Sequence, residues 1–148
     1  MITIVGYWDK WFQHKENEYE VCWRFMLRHF GVDKIIMIPK LDARSKLPLD
    51  YTDAELVEMN SIEEVLQEHS DLVPVIVDER GTTSLREFIH PENAMYIFGS
   101  TGVNPLDILQ PWSGQLVNIE GNSQYVNDAL LHPHQACSII LYDRIMKL

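Results

Sequence analysis

The chain has 148 residues, 46% apolar and 23% charged, which is ample for one packed domain and excludes wholesale disorder. No stretch reaches the roughly 18 apolar residues of a membrane helix. The net charge of −10 is concentrated between Asp50 and Glu79, where ten acids meet no Lys or Arg, so that face is excluded as a nucleic-acid contact.

Ile2-Thr3-Ile4-Val5 reads as a first strand, short and β-branched. Tyr19, Cys22, Trp23, Met26, Leu27 and Phe30 then recur at the spacing of one helix face, and Gly31 stops the helix. Lys34 to Pro39 is a second strand, apolar on both faces and therefore central. Residues 40–53 read as a loop, with Lys40, Arg44 and Lys46 as a small basic patch. Thr52 with Glu55 and Ser61 with Glu64 fit the capping box of a helix start, and the second leads Ile62, Val65, Leu66 and His69 into a helix. Pro74 to Asp78 is a third strand. Ser84 with Glu87 opens a short helix, and Ala94 to Phe98 is a fourth strand broken by Gly99. Pro105 to Leu109 makes a helical turn or two, and Gln115 to Ile119 a fifth strand. Asn122 to His132 is polar and irregular. Pro133 suits the first turn of a last helix running to about Lys147.

This alternation predicts a single α/β domain: a largely parallel sheet of five or six strands with helices on both faces. The last helix is apolar almost all round, from Ala136 to Leu148, so it needs burial on more than one side, either deep in the domain or against a second copy, and a homodimer is the favoured reading. Cys22 and Cys137 both fall in helical segments and form no disulfide framework, as expected of a cytoplasmic protein without a secretory leader.

The stretch with most chemical content is Tyr96 to Pro105: a buried strand, a turn with Gly99 and Gly102, then a proline-started helical turn. Parallel sheets bind ligands at the carboxyl ends of their strands, and glycine lets backbone amides approach a ligand. The pattern lacks the third glycine of a dinucleotide fingerprint, and there is no phosphate loop. Asp78-Glu79-Arg80-Gly81 and the aromatics Trp8, Trp11 and Phe12 follow other strands and so fall at the same end of the sheet. His132-Pro133-His134 is too sparse for a metal site.

Four blocks in order resemble the SpoU branch of the SPOUT methyltransferases, the α/β-knot family. Glu18 to Val32, with Arg24 and the ending Phe30-Gly31-Val32, is similar to the family's Asn-x-Gly-x-x-x-Arg helix that ends in Phe-Gly-Val. Phe98 to Gly102 resembles its Phe-Gly-x-Glu-x-x-Gly loop, and Leu116 to Ile119 its Val-x-Ile-Pro strand. Leu131 to Asp143 resembles its Ser-Leu-Asn-x-Ser-x-Ala block, with Ala136 on the family's Ala. Four side chains depart from the pattern. Glu18 replaces Asn, Glu20 replaces Gly, Thr101 replaces Glu and His132 replaces Asn.

The resemblance implies a C-terminal trefoil knot and an S-adenosylmethionine pocket. Its cofactor-binding residues would be Phe98, Gly99, Ser100, Thr101, Gly102, Val117, Ile119, Leu131, His132 and Ala136. It implies methyl transfer to an RNA ribose 2′-hydroxyl, with tRNA as substrate and Arg24 as the catalytic side chain, stabilising an oxyanion or orienting a phosphate. Two other readings stand beside it: a dimeric binding module of the same fold with a lapsed active site, and an unrelated nucleotide-binding α/β domain.

Overall fold

The computed structural model describes residues 1–41, 54–121 and 130–148. Strand β1 (Ile2–Tyr7) is followed by a helical run in three pieces: α1 (Lys15–Glu18), a π-helical stretch (Tyr19–Arg24) and α2 (Phe25–Phe30). Gly31 closes the run at φ 65°, a left-handed cap that glycine adopts without strain. Next come β2 (Lys34–Ile38), β3 (Glu55–Glu58), α3 (Ile62–Glu68), β4 (Val73–Val77) and β5 (Thr83–Ser84). The chain then forms β6 (Ala94–Ile97), α4 (Pro105–Ile108), β7 (Gln115–Asn118) and α5 (Pro133–Lys147).

The sheet has seven strands in the order β3-β2-β1-β6-β4-β7-β5, and every pairing is parallel. The expectation of five or six strands therefore falls short. Glu55, expected in a helix start, instead opens edge strand β3, its amide bonded to Asp33 O, and Thr52 lies outside the described residues. Ser84, expected to cap a helix, lies in β5 against Asn118, and only a turn follows it. Its hydroxyl turns to the Glu120 carboxylate. Both strands exist only because a neighbouring edge supplies their hydrogen bonds, and no short-range pattern encodes that. Arg44 and Lys46 of the basic patch, and 122–129 of the irregular segment, also lie outside the described residues.

Alternation along the strands divides the core in two. Ile4, Ile35, Val75, Tyr96 and Val117 face the layer of Trp23, Leu27 and α5. Val5, Ile36, Ile76, Met95 and Ile97 face α3 and α4. Helix α5 buries Ala136, Cys137, Ile140, Leu141 and Arg144, one stripe at 1,3,1,3 spacing. Its other side leaves Tyr142, Ile145, Met146 and Leu148 exposed.

The strand order reverses between β1 and β6, since β2 and β3 extend to one side and β4, β7 and β5 to the other. Such a switch opens a crevice beyond the carboxyl ends of the strands. The segments that follow β1, β4, β6 and β7 all emerge at that edge because every strand runs the same way.

Candidate functional site

The glycine turn leaves β6 at that edge. Phe98 is buried, and its amide is tied to Val5 O. Ser100 and Val103 exchange backbone hydrogen bonds of 3.0 and 2.9 Å, which closes a tight loop around Thr101 and Gly102. Gly102 takes φ 78°. At Gly99 a Cβ would stand 2.6 Å from Val103 O, so only glycine fits. Asn104 then caps α4, its side-chain oxygen accepting the Leu106 amide at 3.0 Å, with Pro105 in the first turn. From the far end of the chain, His132 caps α5: its amide bonds the Gln135 side chain at 2.9 Å, and its carbonyl takes the Ala136 amide.

These pieces enclose a cleft of about 700 Å³. Phe98, Gly99, Ser100, Thr101, Gly102, Ile119, Leu131, His132 and Ala136 all line it. Val117 does not: it points from β7 into the core with no exposed surface, because side chains two apart share a sheet face but only Ile119 lies beyond the strand end. Asp78 and Glu79 from the end of β4, Glu120 after β7, and Leu130 and Ile139 complete the walls. Sequence reasoning missed Glu120. Its only signal was its place one residue past the family-like strand.

No Lys or Arg lines this cleft among the described residues, whereas three carboxylates do. Burial raises the Asp78 carboxyl, but hydrogen bonds from Arg80 and Asn104 outweigh it and hold the group below its ordinary value. Arg80 Nε sits 3.0 Å from Asp78, and its NH1 2.9 Å from Asp107, which fastens the β4 loop to α4. Glu120 is lowered by the Ser84 hydroxyl and the Arg86 amide. An apolar cleft with carboxylates along its edge suits a ligand that carries positive charge.

A second cleft of about 520 Å³ adjoins the first and shares Ser100, His132 and Pro133 with it. Its other walls are Tyr7, Asp9, Trp11, Phe12, Glu18, Val21, Cys22, Trp23 and His134. Glu18 is 3% exposed, and its Oε1 accepts the Asp9 amide at 2.6 Å. Burial pushes this carboxyl up to about 7, against the pull of the Asp9 amide and of Lys15. His134 meets Trp23 edge-on at 6.4 Å and stacks with His132 at 5.8 Å. Burial, and then His132, lowers its basicity. The Cys22 thiol is raised by burial and by Glu18 and Asp9, and burial alone raises Cys137, so neither is a ready nucleophile. No cluster of metal-ligating side chains occurs among the described residues.

Arg24 lines neither cleft. Its NH1 holds both Glu20 oxygens, at 2.8 and 2.7 Å, and its guanidinium lies 4.9 Å over the Phe25 ring. The spacing of four residues puts Glu20 and Arg24 on one side of the helical run, while Glu18 and Cys22, also four apart, face the second cleft.

No family model matches the sequence, and no curated protein does either. Solved structures match closely in shape. A candidate RNA methyltransferase from Bacillus anthracis superposes with a TM-score of 0.72 at 16% identity, over 99% of this chain and 94% of that one. The chain has the fold of the SpoU methyltransferases. A structure described for 2-OH methylation of C/U34 on tRNA gives a TM-score of 0.70 at 19% identity, covering 99% and 95% of the two chains. The SpoU methyltransferase AviRb from Streptomyces viridochromogenes, in complex with AdoMet, gives 0.70 at 14% identity, covering 99% of this chain and 59% of its own. This chain therefore spans nearly the whole of some SpoU-fold structures and a little over half of others.

Proposed function

We propose that this protein transfers a methyl group from S-adenosylmethionine to RNA, at a ribose 2′-hydroxyl of tRNA. The observation that carries the reading is the larger cleft. Segments 77–79, 98–105, 119–121 and 130–136 meet around it at the switch point of a SpoU-fold sheet. The residues present suit the donor. The Ser100 hydroxyl is buried without a partner at the cleft wall, the glycine turn presents backbone amides and carbonyls, and Asp78, Glu79 and Glu120 complement a sulfonium and an ammonium. Phe98, Gly99, Ser100, Thr101, Gly102, Ile119, Leu131, His132 and Ala136 would hold it, with Val117 supporting from beneath. When bound, the donor supplies an electrophilic methyl carbon. The chain's task is to align that carbon with the acceptor and exclude water.

The same reading includes a C-terminal trefoil knot, in which the C-terminal segment passes through a loop of chain. Phe98 to Gly102, Ile119 to Gly121 and Leu130 to Pro133 all wall one cleft, which supports it. Arg24, held by Glu20 outside the clefts, fits the phosphate-orienting role better than the oxyanion role. The exposed Tyr142, Ile145, Met146 and Leu148 of α5 form the proposed homodimer surface, and Ile145→Asp should shift sedimentation to a monomer. Action on tRNA would place the protein in the cytoplasm. Among the described residues no helix is long and apolar enough to cross a membrane.

Calorimetry with S-adenosylmethionine and S-adenosylhomocysteine tests the reading, with micromolar binding expected. Absence of binding at millimolar ligand would overturn it. The second reading, a lapsed enzyme kept as a dimeric binding module, is favoured by the position of Arg24 and by Glu18, Thr101 and His132. Donor binding without methylation of any tRNA from a matched host would select it.

A further inference from the structure

The second cleft carries polar groups that none of the described residues satisfies. Buried polar groups in folded proteins are almost always paired. Two on the walls of this cleft are not: Glu18 Oε2 from the end of α1, and the Ser100 hydroxyl, which stands where the two clefts meet. A ligand with its own donors and acceptors would complete the set. Trp11 stands at this cleft with 74% of its surface exposed, Phe12 beside it in sequence, and Lys10 Nζ lies 6.0 Å from the centre of the Trp11 ring. An exposed indole next to a cation is a platform for a stacked base with a phosphate attached. The clefts meet at Ser100, His132 and Pro133, so an occupant of the second faces an occupant of the first.

We propose that the second cleft receives the single unstacked nucleotide that is methylated, and that Glu18 is the base that takes the proton from its hydroxyl. This rests on the methyl-transfer reading. The hydroxyl proton passes to Glu18 Oε2 as the oxygen bonds the methyl carbon, and the electron pair of the broken C–S bond stays on sulfur, which leaves as a neutral thioether. Glu18 lines the cleft with 3% of its surface exposed, its Oε1 on the Asp9 amide and its Oε2 without a partner among the described residues, so Oε2 is the oxygen left to meet an occupant. The groups around it are Asp9, Cys22, His132 and His134 on the walls, and Lys15, whose Nζ bonds Asp9 O at 2.7 Å. Burial, set against the Asp9 amide and Lys15, pushes the carboxyl up to about 7, the range in which a general base works best.

The test uses the whole chain and two variants. Glu18→Gln keeps the shape and an acceptor for the Asp9 amide but holds no exchangeable charge. Trp11→Ala removes the platform. With no donor present, the four nucleoside 5′-monophosphates are titrated by tryptophan fluorescence, and Trp11→Ala is expected to weaken binding of the best of them about tenfold. A carbon-13 carboxyl titration, wild type against Glu18→Gln, should show one group with a midpoint near 7, and that midpoint should move when the nucleotide binds. In single-turnover methylation of tRNA, the wild-type rate should rise through that midpoint, whereas Glu18→Gln should lose about 100-fold and the pH step with it. Glu18→Gln should keep wild-type donor affinity by calorimetry. Unchanged nucleotide binding in Trp11→Ala, or a full rate with the same pH profile in Glu18→Gln, overturns the proposal. If the wild type fails to bind donor, the methyl-transfer reading fails instead, and the nucleotide and carboxyl titrations show that separately.

Discussion

Arg144→Met isolates the joint that ties α5, and with it one wall of the donor cleft, to the sheet. Arg144 is 6% exposed, and it reaches the far side of the core. Its NH1 donates to Pro91 O and, at 3.0 Å, to the Tyr96 hydroxyl, and its NH2 donates to Glu92 O at 2.8 Å. The Tyr96 hydroxyl is also 2.7 Å from His90 Nδ1, and His90 Nε2 is 2.8 Å from Asp143. A carboxylate only accepts, so Nε2 carries the imidazole proton, Nδ1 accepts from the Tyr96 hydroxyl, and that oxygen accepts from Arg144. Methionine keeps the apolar stem and removes the donors. Glu92 is exposed and Pro91 half-buried, so their carbonyls can take water, but Tyr96 has no exposed surface. A hydrogen bond from a charged donor to a buried acceptor is worth about 1.5–3 kcal/mol, and relief of the buried guanidinium's desolvation returns part of any further loss. The expected net loss is about 2–3 kcal/mol, a large share of the roughly 5–15 kcal/mol that holds a domain together. It should lower Tm by about 5–10 °C. Urea unfolding at pH 7, followed by tryptophan fluorescence, measures it. Lys147→Met is the control. That ammonium also bonds two carbonyls and Asp143, but its side chain is 30% exposed, so the loss should stay below about 1 kcal/mol. If Arg144→Met loses no more than Lys147→Met, the reasoning fails.

Gly99→Ala drives a Cβ to 2.6 Å from the Val103 carbonyl, so it should cost about 1–3 kcal/mol and abolish donor binding. Gly102→Ala meets only Lys10 Nζ at 3.4 Å and should cost about 1 kcal/mol for its positive φ, and calorimetry separates the two. Arg24→Ala removes a partly exposed pair: stability should fall by less than about 1 kcal/mol, and KM for tRNA should rise more than kcat falls. Burial lowers the basicity of His90, against the pull of Asp143. The unfolded chain therefore takes up this proton first, so the His90 contribution is complete above about pH 6.5 and is lost as pH falls below it. Glu18 has the opposite sign: its contribution is complete below about pH 4.5 and lost as pH rises through about 7. Urea titrations across pH 4 to 8 should therefore show Glu18→Gln gaining on wild type as pH rises. A flat difference would refute that sign.

Much of this molecule is written in short-range signals, because caps and periodicity act over a single turn or strand. The Ser61 hydroxyl accepts the Glu64 amide at 3.2 Å, Asn104 caps α4, and Gly31 closes the first helical run, all where local chemistry demands. The β-branched runs became a parallel sheet, and the glycine turn fell at its carboxyl edge. What the local signals lacked was neighbours. Glu55 and Ser84 carry helix-start patterns, yet hydrogen bonds from adjacent strands made them β. His90 reads as one more surface histidine until Tyr96 and Asp143 arrive from six and 53 positions along the chain to bury it. Amino-acid order by itself determined strands β1, β2, β4, β6 and β7, the Ser61 cap and the glycine turn. Only the tertiary structure decided which carboxylate is starved of partners, because burial and an orphaned oxygen belong to the packing of β1, α1 and α5 together.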